Sequence, residues 1–187
     1  MRHLHAEGIV IKRSNFSEAD KILTLFTKTQ GKISVKAKGV RKITSRKSGS
    51  VELFNKIKFS AVRGRQFDII TEVDTQDSYP QLKIDLTRVG VAYHLCELVD
   101  KLIPEHQENP GIYNLLDRSL ADMDKNSQLD LSKHVREFEK RILISLGFGI
   151  PENPTQSQLV AHIENILERP LKSRQVLHAI ASNHSGR

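Results

Sequence analysis

The apolar residues of this chain change their spacing near residue 80, and this change constrains the fold more than any other feature. Up to about residue 75 they recur at every second position, which is the pattern of strands with one packed face. Beyond residue 80 they recur at three- and four-residue steps, which is the pattern of amphipathic helices. The sequence therefore predicts an α+β protein of two domains, with strands in residues 1–79 and an all-α domain in residues 80–187.

The N-terminal part contains five short segments with strand patterning, EGIVIK, ILTLF, GKISVKAKG, LFNKIKFSAV and FDIITEV. In the third segment Ile33, Val35 and Ala37 share one face, whereas Lys36 and Lys38 share the other. Five strands in about 70 residues, with little helix, are typical of a small closed or nearly closed barrel. An oligonucleotide-binding (OB) fold and an SH3-like barrel both fit this pattern.

Details of the barrel follow from single positions. Phe67, Ile69 and Val73 have the parity of a packed strand face. Gly64, in the connection before the fifth strand, is expected to take the positive φ of a tight hairpin turn. Residues 39–50 are rich in Gly, Ser, Thr and basic residues, and we predict a mobile basic loop there.

The C-terminal part is predicted to be helical throughout. A long central helix over residues 82–102 is expected to end before Pro104. Three further helices are predicted around residues 112–123, 135–146 and 159–167, and a fifth over residues 171–180. Gly147 is expected to cap the third helix at its C-terminus, and Thr155 with Gln158 forms a capping-box pattern at the start of the fourth.

The basic residues are concentrated in the first half of the chain. The net charge is +7, but residues 1–80 carry 16 Lys and Arg against eight Asp and Glu, whereas residues 81–187 carry 13 against 14. Residues 32–65 contain eleven bases and one acid, Glu52. Because a solubilising surface normally mixes charges of both signs, this excess predicts a polyanionic partner, with nucleic acid as the leading candidate.

The strand parity and the loop position define the candidate nucleic-acid-binding residues. We expect a phosphate-contacting strand face, a flanking basic loop and a basic hairpin turn, made respectively of Lys36, Lys38, Lys56 and Lys58; of Arg41, Lys42, Arg46 and Lys47; and of Arg63 and Arg65. Phe54 and Phe16 are the candidate side chains for base stacking, with plain packing as the alternative role for both.

The chain lacks the sequence signatures of common enzymes. It has no phosphate-binding glycine loop, no G-x-S-x-G elbow and no H-E-x-x-H helix. Its single cysteine, Cys96, has a core position and is expected to be a buried, inert thiol. We therefore predict a protein with no catalytic residues, no metal and no cofactor. The single cysteine and the lack of a long apolar run favour a soluble protein of the cytoplasm, with no membrane association.

Two other functions fit part of the pattern. An RNA-binding or translation-associated OB protein would show the same charge distribution. A metal-dependent nuclease would need a carboxylate cluster such as Asp68, Glu72 and Asp74, but two of these residues have the solvent-side parity of a strand.

At the level of motifs, the chain resembles the RecO family of recombination mediators. The matching stretches are EGIVIKRSNFSEADKILTLFT, GKISVKAKGVRK, VELF, RGRQFDIIT, FEKRILISLGF and RPLKSRQVL, in the family's order. This resemblance implies an N-terminal OB fold on a helical domain, and a non-enzymatic function in DNA repair and recombination. It further implies binding to single- and double-stranded DNA, annealing of complementary strands, and contact with the acidic C-terminal tail of single-strand binding protein. The family also acts with RecR to load the RecA recombinase, so a nucleoid-associated location in the cytoplasm is expected.

The chain departs from the family pattern in one place. Many relatives carry a four-cysteine zinc module after the segment that matches LISLGF, whereas here residues 151–154 lead directly into the closing helices. The module is expected to be deleted, and zinc is not expected.

Overall fold

The computed structural model describes residues 3–174, in which the chain forms five strands and five helices. The strands are β1 (His3–Phe16), β2 (Asp20–Thr27), β3 (Gly31–Ala37), β4 (Lys56–Val62) and β5 (Asp68–Asp77). The helices are α1 (Pro80–Ile84), α2 (Leu86–Leu102), α3 (Pro110–Lys125), α4 (Leu131–Ser145) and α5 (Gln156–Leu167).

The five strands close into a barrel in the order β1-β2-β3-β5-β4. The 14-residue β1 is long enough to pair with β2 along its second half and with β4 along its first half. All pairs are antiparallel except β3 with β5, which are parallel and share only two residue pairs. The predicted α+β class, with a five-stranded OB-fold barrel followed by helices, is confirmed.

Alternate side chains of the strands fill the barrel, as the period of two predicts. In β3, Ile33, Val35 and Ala37 are at most 6% exposed, whereas Lys36 on the other parity is only partly buried. In β4, Ile57, Phe59 and Ala61 are buried in the same core, and Lys58 is exposed. The core therefore holds both strands in the register that places their lysines outside.

The packed residues of β5 agree with the prediction only in part. Val73 packs against the barrel core as predicted, whereas on the other side of the register shift Ile70 is buried and Phe67 and Ile69 are only partly buried. The pairing of β4 with β5 shifts in register between Ser60 and Ala61, which places an additional residue of β5 opposite β4. A bulge of this kind reverses the parity of the residues on either side of it, and period-two counting does not detect it.

The connection between β3 and β4, residues 38–55, is a series of turns and not an open loop. Val40, Val51 and Phe54 are at most 3% exposed, and the first two belong to the barrel core. Phe54 has a φ of 72° and its backbone N–H donates to the Val10 carbonyl, so β4 begins only at Lys56. The predicted mobile loop is therefore anchored to the barrel by its own apolar residues.

Gly64 serves the hairpin between β4 and β5 in a way that was not predicted. Positive φ angles occur at Gly31, Gly39 and Gly147 among the described glycines, but not at Gly64. A Cβ at Gly64 would lie 2.1 Å from the carbonyl oxygen of Phe67. Glycine is needed here because the backbone of the turn passes too close for a side chain.

The first compact unit comprises Met1–Tyr79 together with Ile103–Tyr113, the connection between α2 and α3. The backbone of Glu105 forms an isolated parallel β-bridge with that of Lys32 in β3, and the backbone N–H of His106 donates to the Lys32 carbonyl over 2.9 Å. Tyr113 covers Phe26, with ring centroids 6.0 Å apart. This contact explains why the segment ILTLF is apolar on both parities. The division into domains at residues 79 and 80 stays a prediction.

Among the described residues, the second compact unit comprises residues 80–102 and 114–174. Its central helix α2 has ten buried residues, which agrees with a helix covered on more than one side. The predicted helix is interrupted, because Asp85 separates α1 from α2 and accepts hydrogen bonds from the backbone N–H groups of Thr87 and Arg88. Two apolar residues of α2, Leu86 and Tyr93, are 86% and 48% exposed although they continue the three- and four-residue spacing of the buried residues.

The predicted ends of two helices are confirmed. Gly147 has a φ of 80° after α4, and the N–H of Phe148 donates to the Leu143 carbonyl in a Schellman arrangement. Thr155 and Gln158 form the capping box of α5. Most of the predicted fifth helix, residues 171–180, lies outside the described residues. No helix within residues 3–174 combines the length and the apolar character needed to cross a membrane.

Candidate nucleic-acid interface

Five of the ten predicted residues lie in one short stretch, which we call the basic turn segment (residues 38–47). Lys38, Arg41, Lys42 and Arg46 are exposed there, and Lys47 is partly buried. Within the described part of the chain, none of these five side chains has a carboxylate oxygen within 4.0 Å. Their charge is therefore available to an external anion.

Hydrogen bonds hold the basic turn segment against the barrel. The backbone N–H of Gly39 donates to Asp20 over 2.8 Å, and the N–H of Arg41 donates to the Ala19 carbonyl over 3.0 Å. The Arg41 guanidinium donates to the Ser17 carbonyl, and the Lys47 ammonium donates to the Thr71 carbonyl. These bonds use backbone carbonyls as acceptors, so they position the cations without neutralising them.

The connection continues to a buried anchor at Asn55, which is 1% exposed. Its side-chain amide donates to the carbonyls of Gly49 and Ser50 over 2.9 and 3.1 Å. The only acid of the 32–65 stretch, Glu52, pairs with Arg13 and Lys21 of β1 and β2. It therefore does not neutralise any of the ten predicted residues.

Lys36 of β3 has a different environment from that of the basic turn segment. Its ammonium lies 3.1 Å from the Asp20 carboxylate and 4.5 Å from the centroid of the Phe16 ring. The N–H of Gly39 is the main cause that holds the pKa of Asp20 below its usual value; burial opposes this effect, and Lys36 and Lys38 add to it. Asp20 therefore stays charged at neutral pH and shares its charge with Lys36.

The two lysines of β4 face acidic residues of the neighbouring strands. Lys56 lies 3.7 Å from Glu7, and its side chain is 18% exposed. Lys58 is exposed, but its cross-strand partners are Glu7 on β1 and Asp74 on β5. This face of the barrel, made of β1, β4 and β5, is therefore mixed in charge.

Arg63 and Arg65 lie in the connection between β4 and β5, where both are exposed. Neither has an ion pair with a described residue. Their position next to Phe67 brings them to the same part of the barrel as Phe16, because the two aromatic rings are in contact.

Of the two candidate stacking residues, Phe54 is excluded, since it is 3% exposed. Its parity with Lys56 does not hold because it lies in a turn before the strand begins. Phe16 is partly exposed at the last position of β1, paired with Asp20, and not in a loop. Its ring contacts Phe67 with a centroid distance of 6.1 Å and an interplanar angle of 77°. Counting alternate positions back from Val73 assigns Phe67 to the packed face, because the count does not include the register shift between Ile70 and Glu72.

Cys96 and the carboxylates of β5 form neither a reactive thiol site nor a metal site in the described part of the chain. Cys96 is 1% exposed, and burial raises the pKa of its thiol. Among the described residues, no three His, Cys, Asp or Glu side chains are grouped to hold a metal ion. Glu72 and Asp74 are exposed on β5, and Asp68 is partly buried.

A closed five-stranded barrel of the OB type, with exposed cations on the connection between its third and fourth strands and helices after it, defines the structural class. The family models agree with this class. The one described as "Recombination protein O N terminal" matches residues 1–79, and the one described as "Recombination protein O C terminal" matches residues 84–153.

Curated relatives are similar over most of this chain. DNA repair protein RecO of Desulforudis audaxviator is 37% identical over 149 residues, which are 80% of this chain and 59% of that protein. The proteins of the same name from Symbiobacterium thermophilum and Roseiflexus sp. are 37% and 35% identical, over 77% and 79% of this chain. They are covered to 56% and 51% of their own length, so the chain spans a little over half the length of these relatives.

The chain belongs to the RecO family. The two family models together cover the barrel and the helices α2 to α4, in the order in which the structure shows them.

Proposed function

We propose that this chain is a non-enzymatic DNA-repair factor that binds single- and double-stranded DNA through its barrel. The observation that carries the proposal is the basic turn segment, where none of the five cations has a carboxylate oxygen of a described residue within 4.0 Å. Such a surface neutralises phosphates and releases counterions, so binding depends steeply on salt and weakly on sequence. The name shared by the relatives, DNA repair protein RecO, supports DNA as the polyanion.

The ten predicted residues contribute unequally in this proposal. Arg41, Lys42 and Arg46 make the main phosphate contacts, since they are exposed and have no ion pair with a described residue. Arg63 and Arg65 contact the same strand at the hairpin. The lysines of β4 contribute least because carboxylates lie next to them.

The further steps in the proposal follow the family resemblance. The chain anneals complementary strands, because a cationic surface reduces the repulsion between two phosphate backbones held close together. With RecR it helps to load RecA onto strands coated with single-strand binding protein.

A groove of about 520 Å³ between α3 and α4 is the surface that we propose for the acidic tail of single-strand binding protein. Leu115 and Phe138 give it apolar walls, and its basic residues are Arg118, Lys133 and Arg141. Asp122, Asp130 and Glu137 also line it, so the groove as a whole is mixed in charge. The affinity of a tail peptide for the whole protein should rise with the number of acidic residues in the peptide. The double substitution Arg118→Glu with Arg141→Glu should abolish that binding.

The experiment that tests the proposed function is annealing of complementary single strands that are first coated with single-strand binding protein, with and without this chain. We expect annealing to be faster with the chain and to slow as salt is raised. Equal rates with and without it would overturn the annealing proposal. Matched RNA strands serve as the comparison, and tighter binding to RNA than to DNA would favour an RNA-binding function instead.

A further inference from the structure

The barrel carries a pair of aromatic side chains that its core does not use. Phe16 ends β1 and Phe67 directly precedes β5, and both are partly exposed although the barrel has a complete apolar core without them. Their rings meet edge to face, with centroids 6.1 Å apart. Aromatic rings left at a surface in this way offer π-faces to a ligand.

Cations approach this pair from two directions. The residue after Phe16 is Ser17, whose carbonyl accepts the Arg41 guanidinium of the basic turn segment over 2.8 Å. Exposed Arg63 and Arg65 come shortly before Phe67 in the hairpin. The aromatic pair therefore adjoins both groups of cations, because Phe16 is next to the residue that Arg41 contacts and Phe67 follows the hairpin that carries Arg63 and Arg65.

One face of Phe16 is already occupied. The Lys36 ammonium lies 4.5 Å from its centroid, and Asp20 holds that ammonium over 3.1 Å. This arrangement fixes the ring and leaves its remaining exposed surface, together with that of Phe67, for another partner.

We infer that Phe16 and Phe67 form a stacking platform for unpaired bases, so that a single strand binds with its phosphates on the flanking arginines and a base against the rings. The inference rests on the proposed function, and it adds a property that phosphate contacts alone do not supply. A duplex has its bases stacked on one another, whereas a single strand has free base faces. The platform therefore makes the barrel favour single strands.

Tryptophan substitution gives a direct readout, because the chain contains no tryptophan of its own. In Phe67→Trp and in Phe16→Trp, stacking of a base on the indole should quench its fluorescence strongly when an oligothymidine binds. An abasic strand of the same length and charge should bind with little quenching. Phe148→Trp, at an exposed position shortly after α4, is the matched control and should not respond to either strand.

Leucine substitution separates stacking from packing. Phe16→Leu and Phe67→Leu keep an apolar side chain but remove the ring, so affinity for single strands should fall about tenfold. Affinity for a duplex should stay within about twofold of the parent.

The outcomes distinguish this inference from the proposal on which it rests. Quenching that is equal for thymidine and abasic strands, or an equal loss of single-strand and duplex affinity in the leucine variants, overturns the platform and leaves phosphate binding intact. A parent protein that binds neither kind of DNA overturns the proposed function and the platform together.

Discussion

The basic turn segment and strand β4 both carry predicted phosphate-binding residues, but the two regions place them in different surroundings. Lys42 and Arg46 of the basic turn segment are exposed and have no ion pair with a described residue. Lys56 lies beside Glu7, and Lys58 lies opposite Glu7 and Asp74. A count of basic residues along the sequence therefore overestimates the positive charge of a surface where strand pairing brings acidic residues from distant positions next to the basic ones.

The difference has a topological cause. The connection between β3 and β4 is a series of turns and not a paired strand, and the acceptors that Arg41 and Lys47 find there are backbone carbonyls. Strand β4 lies between β1 and β5, so each of its outward side chains has two cross-strand neighbours. Electrostatic binding should therefore respond strongly to changes in the first region and weakly to changes in the second.

The largest effect is expected from reversing Arg41, Lys42 and Arg46 to Glu together. Each substitution removes a phosphate contact and adds a repulsive charge, so DNA affinity at low salt should fall by at least about 100-fold. Fluorescence anisotropy with a labelled oligonucleotide measures it. Arg118, Lys125 and Arg141, exposed on the helices, can be reversed as a control with the same change in net charge. Equal losses in the two triple variants would contradict the assignment.

The next largest effect is expected from removing the side-chain amide of the buried residue Asn55. Asn55→Ala leaves the carbonyls of Gly49 and Ser50 without their amide donor in a buried place, which should lower the free energy of unfolding by about 2 kcal/mol. Urea denaturation monitored by circular dichroism measures this change. Asn126→Ala, at an exposed position after α3, is a control expected to change stability by less than about 0.5 kcal/mol. A stable Asn55→Ala protein would show that the connection is not anchored as described.

Replacing Asp20 tests whether its carboxylate stabilises the position of the basic turn segment. Asp20→Asn weakens the bond from Gly39 and the pair with Lys36, so the free energy of unfolding at pH 7 should fall by about 1 kcal/mol. Because the pKa of Asp20 is lowered in the folded state, its contribution is present above the usual value of 3.8 and is lost as the pH falls through the folded pKa. The difference between parent and variant should accordingly disappear in acid. A difference that is constant from pH 7 to pH 2 would refute this role.

The smallest expected effect is a gain in DNA affinity. Glu72→Gln with Asp74→Asn removes two exposed acids from β5 and leaves Lys58 with one acidic neighbour. DNA affinity should rise about two- to fivefold, since surface charges interact weakly. The same two substitutions at Asp122 and Glu137, exposed on α3 and α4, serve as the control. No gain at β5, with binding otherwise normal, would show that Lys58 is not masked by its neighbours.

The regular parts of the fold follow from the sequence. Periods of 2 and 3.6 find all five strands and the helices α2 to α5, because side-chain burial in regular elements repeats. Glycine and the capping box locate two helix ends because the backbone groups there need specific partners. The bulge in β5, the break at Asp85 and the close approach at Gly64 depend on tertiary contacts, which are not encoded in a local pattern.

The candidate site shows the same limit. The sequence identifies the cations, since charge can be counted, but not their partners. Glu7 is 49 residues away from Lys56, and Asp20 is 16 residues away from Lys36, yet the barrel brings each pair into contact. Phe67 was assigned to the core because its parity was counted through a register shift. Its position directly after the basic hairpin, two residues from Arg65, is the sequence signal that could have identified Phe67 as a candidate for base stacking.

The salt dependence of DNA binding measures how many phosphates the basic turn segment neutralises. For the parent, the logarithm of the association constant should fall steeply and linearly with the logarithm of the salt concentration. Neutralising Arg41, Lys42 and Arg46 to Gln should reduce this slope by about 2 to 3, since each lost phosphate contact removes roughly 0.7 to 0.9. A parent slope near zero, or the same slope in parent and variant, would contradict the assignment of the basic turn segment as the phosphate-binding surface.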